Sequence, residues 1–129
     1  MSFHYTIQSD KSLEEAIRSV EEQLAAIQFR VLWQTNLTDN LKNKGITSIE
    51  ESYNILEVCN PYAAEKVLGQ NPEANYFLPC KITVFEKNGK TQIGLPRPTS
   101  AMEPLKDAKL IEIVREIEND LIGVIDKAK

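Results

Sequence analysis

The chain has 129 residues, of which 42% are hydrophobic and 26% charged, with a formal net charge of -4 and a pI near 5.1. That acidic balance, with no clustered basic patch, argues against nucleic acid, whose affinity comes largely from phosphates neutralised by Lys and Arg. No apolar stretch approaches the roughly 20 residues of a membrane span, and two cysteines cannot build a disulfide framework. The expectation is a single domain over residues 1–129 with free thiols, in the cytoplasm, away from membranes. The start, Met1-Ser2-Phe3-His4-Tyr5, carries no basic region followed by an apolar run, so no export signal is expected.

Phe3, Tyr5 and Ile7 alternate with His4, Thr6 and Gln8, the period of a strand with one buried face, which puts His4 on the wet side. Ser12 with Glu15 three residues on is a capping-box signature. Leu13, Ala16, Ile17, Val20, Leu24 and Ile27 then recur at helical spacing, predicting a helix from about 13 to 27. Phe29, Val31, Trp33, Thr35 and Leu37 alternate with Arg30, Leu32, Gln34 and Asn36 as a long strand holding the only tryptophan. A helical turn or two from Asp39 to Lys44 follows, capped by Thr38 and closed by Gly45.

The next strand, Tyr53 to Cys59, has Leu56 and Val58 on one face and Tyr53, Ile55 and Cys59 on the other. With both faces mostly apolar it is expected inside a sheet. Asn60-Pro61 starts a helix that runs to about Gly69: the asparagine side chain accepts an orphan N–H, and a first-turn proline forfeits no hydrogen bond. Gln70 to Asn75 reads as a loop. A strand from Cys80 to Glu86 meets Asn88-Gly89, a two-residue hairpin signal, and returns as Thr91 to Leu95. Pro96-Arg97-Pro98 breaks regular structure before the longest element, a helix over about Asp107 to Lys127. Its residues Leu110, Val114, Ile117, Leu121 and Val124 form an apolar stripe that Ile111, Ile113, Ile122 and Ile125 widen. Such width fits either a deeply sunk core helix or a flank packed on a second subunit. The resulting order predicts an α+β domain with helices on one face of a mainly antiparallel sheet.

The sequence holds no Gly-rich phosphate loop, no Gly-x-Ser-x-Gly elbow, no His-Glu-x-x-His and no Cys-x-x-Cys. One histidine leaves no material for a histidine-dependent triad or a multi-histidine metal site. What remains is the cysteine pair. If the strand ending at Cys59 lies antiparallel to the one beginning at Cys80, the tail of one meets the head of the other and the thiols are neighbours. Cys59 also precedes a helix start, where the positive end of the helix dipole favours a thiolate. The plainer reading is that both are core residues, since free cysteine usually behaves as a small hydrophobe.

Cys59-Asn60-Pro61 closing an apolar strand, Pro79-Cys80 opening another, then Glu86-x-Asn88-Gly89 and a C-terminal helix resemble the domain-of-unknown-function 302 family from Ser12 onward. The resemblance implies a curved antiparallel sheet with helices on one side, similar to a single copy of the TATA-binding-protein-like fold, and homodimers. It marks Cys59, Asn60, Pro61, Pro79 and Cys80 as the shared positions and so as candidate ligand-binding residues. It brings no biochemical activity with it.

Three function classes follow. The first is a non-enzymatic dimeric module binding a small molecule in a hollow beside the sheet. The second is a thiol or redox enzyme using Cys59 and Cys80. The third is a metal-handling protein in which those two soft ligands would need His4 or carboxylates to complete the sphere. The residues name no catalytic group, no metal ligand set and no cofactor.

Overall fold

The computed structural model describes residues 2–129. Its elements are β1 (His4–Ser9), α1 (Leu13–Ala26), β2 (Arg30–Asn36), α2 (Leu37–Lys42), β3 (Tyr53–Cys59), α3 (Pro61–Gln70), β4 (Cys80–Lys87), β5 (Lys90–Pro96), α4 (Pro98–Ala101) and α5 (Ala108–Ala128). The five strands form one sheet in the order β1-β5-β4-β3-β2, and every neighbouring pair is antiparallel.

The period-2 pattern decides which face is covered. Leu56 and Val58 of β3, Ile82 and Val84 of β4, and Ile93 and Leu95 of β5 are buried, and they meet Val20 and Leu24 of α1, Val67 of α3 and Leu110, Val114 and Leu121 of α5 in one core. Fully burying each such side chain contributes about 1.5–3 kcal/mol before the entropic cost of ordering it. The predicted capping box is present: the Glu15 N–H donates to Ser12 Oγ, and the Ser12 N–H donates back to the Glu15 carboxylate. Asn88 and Gly89 turn the β4–β5 hairpin with φ of 53° and 76°, the left-handed values that Asn-Gly accepts at low cost.

Several expectations change. Phe3 is 69% exposed because the strand begins at His4, and its ring meets the His4 ring edge-on at 5.0 Å. In β2 a bulge interrupts the ladder, with Val31 opposite Val58 but Trp33 opposite Glu57. The extra residue, Leu32, reverses the alternation, so Trp33 shares a face with Glu57 and Ile55 rather than with Val31. The α2 cap is Asn36, whose Oδ1 accepts the Asp39 N–H. Thr38 is committed elsewhere, its hydroxyl donating to the Glu51 carbonyl at 2.6 Å. The expected loop after α3 winds into a 3₁₀ helix, Pro72–Phe77, capped by Asn71. The expected break at Pro96-Arg97-Pro98 narrows to Arg97, since β5 runs to Pro96 and α4 begins at Pro98.

The wide sector of α5 is largely core. Ile125 is fully buried, and Ile111, Ile113 and Ile122 are half-buried against the same cluster. One polar side chain lies within it: Glu118 is 1% exposed. Its carboxylate accepts Nε and Nη2 of Arg97 at 3.2 and 3.1 Å, together with the N–H and hydroxyl of Thr99. A buried carboxylate is tolerated only when paired and hydrogen-bonded in this way, and the cluster fixes the start of α4 onto α5.

Candidate functional site

Val58 and Cys80 stand directly opposite each other where β3 ends and β4 begins. Cross-strand partners share a face, so Cys80 points with Val58 toward the helices. Cys59 is one residue further along β3, and it contributes to the same cleft where that strand ends. Immediately after it, Asn60 starts α3: its Oδ1 accepts the N–H groups of Tyr62 at 2.9 Å and Ala63 at 3.1 Å. Opposite, the Leu78-Pro79 peptide is cis and leads into β4.

These elements enclose a cleft of about 250 Å³. Val58 and Cys80 form its floor, and Ala63, Ala64 and Val67 of α3 form one wall. Phe29, Leu32, Leu68, Leu78, Pro79 and Ile117 line the rest. The two alanines leave room that larger helix residues would fill. None of the lining side chains is charged. The single amide among them, Asn60, is already engaged: Oδ1 caps α3, and Nδ2 donates to the Ile27 carbonyl at 3.5 Å.

Four of the five residues singled out in the sequence, Cys59, Asn60, Pro79 and Cys80, line this cleft. Pro61 sits in the first turn of α3, exposed and outside the lining. Sequence reasoning missed Phe29, Ala63, Ala64 and Ile117 as walls. The one available signal was the pair of alanines directly after Asn60-Pro61-Tyr62.

Both cysteines are free thiols, each partly buried. Burial, and secondarily the nearby Cys59, push the Cys80 thiol up from its ordinary value to about 11. Cys80 is therefore a protonated, weakly nucleophilic group near neutral pH, because the thiolate is the reactive species. Among the described residues no three His, Cys, Asp or Glu side chains gather as a cation site. His4 is on the exposed side of β1, where its Nδ1 lies 2.8 Å from Thr6 Oγ1. A larger depression, about 670 Å³, lies between the start of α1 and the β4–β5 turn. Lysine, glutamate and serine side chains line much of it, and water solvates such groups equally well. The apolar cleft is the better candidate.

An α+β domain with an antiparallel five-stranded sheet, helices packed on one face and an apolar cleft at the end of the two cysteine-bearing strands is the class defined here. The chain belongs to the family described as domain of unknown function DUF302, whose model matches residues 5–128. It is similar to an uncharacterised conserved DUF302 protein from Bacillus stearothermophilus of known crystal structure. The two share 40% sequence identity and a TM-score of 0.97, with 100% of each chain covered. No curated protein matches the chain. No helix among the described residues is long and apolar enough to cross a membrane.

Proposed function

We propose that this protein is a non-enzymatic binding module that holds a small molecule in the cleft between α3 and the β3/β4 strand ends. The observation that carries the reading is the cleft itself: a concave, uncharged space walled by small α3 residues and containing four of the family-pattern positions. Preformed apolar hollows beside a sheet are where small ligands bind. A protonated Cys80 thiol supports a lining role over thiol catalysis. Two thiols alone supply too few ligands for the metal-handling alternative. Free cysteines fit a reducing, cytoplasmic setting.

The reading includes a homodimer, the commonest closed assembly of soluble chains. The sheet face opposite the helices supports it better than α5 does. Tyr53 and Phe85 stack there with ring centroids 6.0 Å apart, beside Ile55 and a Trp33 that is 53% exposed. Light scattering of the wild type and of Trp33→Glu tests this part: a dimer mass lost in a folded variant supports it, and a monomer mass in the wild type removes it.

Native mass spectrometry of protein purified from its source tests the binding reading. A non-covalent adduct present in the wild type and lost in Ala64→Phe, which fills the cleft, is the expected result. An adduct that survives in a folded Ala64→Phe protein overturns it.

A further inference from the structure

Resting on the binding reading above, we infer that the cleft receives a non-anionic aliphatic chain of roughly eight carbons. The argument starts from size. A methylene takes up about the share of volume that a water molecule has in the liquid, about 30 Å³, so a cleft of about 250 Å³ accommodates roughly eight. That is below the range of drug-sized sites.

Chemistry narrows the class further. The lining carries no charge, and the one amide has its oxygen and one of its two Nδ2 hydrogens committed to backbone groups. A polar group pushed inside would lose its water and find at most one Asn60 N–H as a partner, which is costly. The inserted portion is therefore hydrocarbon. Any head group must stay at the rim, where a second depression shares Phe29, Asn60, Ala63 and Ile117 with the cleft. The charged residues lining that depression are Lys66, Glu116 and Asp120. Carboxylates outnumber the ammonium there, so the local field opposes a carboxylate head and tolerates a hydroxyl or an ammonium.

Isothermal titration with octan-1-ol, octylamine and octanoate at pH 8, together with hexan-1-ol, tests the assignment. Octan-1-ol is expected to bind about fifteenfold more tightly than hexan-1-ol, at about fourfold per added methylene, with octylamine comparable to octan-1-ol and octanoate several-fold weaker. The preference against octanoate should shrink in Glu116→Gln/Asp120→Asn, which removes the two carboxylates from the rim. Octanoate binding as tightly as octan-1-ol would overturn the non-anionic assignment while leaving the binding reading intact. No heat with any of the four at two well-separated temperatures would overturn the aliphatic-chain assignment, while the native adduct test decides the binding reading separately. A folded Ala64→Phe protein should lose octan-1-ol binding. If Ala64→Phe instead abolishes self-association and leaves octan-1-ol binding unchanged, the cleft is filled by a second copy of the chain, and the inference fails.

Discussion

Val58 and Cys80 face each other across the β3–β4 ladder, and this one register relation sets the chemistry of the cleft floor. It turns the Cys80 thiol toward the helices, where burial raises its pKa from 9.0 to about 11.

The pH consequence follows from linkage. Below the ordinary thiol value Cys80 is protonated in both the folded and unfolded chain, and stability is unaffected by it. Between that value and about 11 the unfolded chain gives up the proton while the folded chain keeps it, so stability falls as pH rises. The loss attributable to Cys80 is on the order of 2–3 kcal/mol by the time pH passes the folded value. Urea unfolding at pH 8 and at pH 10.5 should therefore show a smaller decline for Cys80→Ala than for wild type. Equal declines would mean that the thiol is solvated. In native protein at pH 7.5, iodoacetamide should leave Cys80 unmodified until denaturant is added.

Asn60 joins the cleft to its wall by capping α3 with two accepted hydrogen bonds. Asn60→Ala should cost about 1 kcal/mol, whereas Asn60→Asp keeps the capping acceptor but gives up the Nδ2 donor to the Ile27 carbonyl, and should cost less than the alanine variant. Hydrogen exchange of Tyr62 and Ala63 amides should accelerate in the alanine variant alone.

The Arg97–Glu118 pair is asymmetric: the arginine side chain is 24% exposed and the glutamate 1%. Removing Arg97 strands a buried carboxylate, so Arg97→Ala should cost about 3–5 kcal/mol. Glu118→Gln leaves a quarter-exposed guanidinium that water can reach, and should cost less. The double variant Arg97→Ala/Glu118→Gln should be more stable than Arg97→Ala alone, as denaturant midpoints will report.

Gly94 pairs with Thr6 on one side and Thr83 on the other. A Cβ there would come within 2.9 Å of both Thr6 Cβ and the Tyr5 carbonyl, so β1 would have to shift. Gly94→Ala should cost about 1–3 kcal/mol, read from the thermal midpoint. Adding Thr6→Ala should recover only part of this, since the Tyr5 carbonyl stays in place.

Much of the fold was legible in the residues. Ser12 with Glu15, Asn60 with Pro61 and Asn88 with Gly89 each act on backbone groups within a few positions, so their outcome depends little on the rest of the chain. The exact span of β3 followed from the apolar run between Tyr53 and Cys59. Local chemistry of this kind also led to the cysteine-bearing strand ends, because both motifs carry a proline and an element boundary beside the thiol.

What only the tertiary structure decided depended on partners distant in sequence. The face of Trp33 was set by a bulge, one extra residue relative to β3, which no alternation within β2 alone can reveal. The burial of Glu118 in an apolar sector required Arg97 and Thr99, some twenty positions away, to satisfy its carboxylate. The cleft itself is bounded by Phe29, Ala63, Cys80 and Ile117, drawn from the β2 approach, α3, β4 and α5. A void is defined by what surrounds it, and here its walls come together only once the sheet and helices have packed.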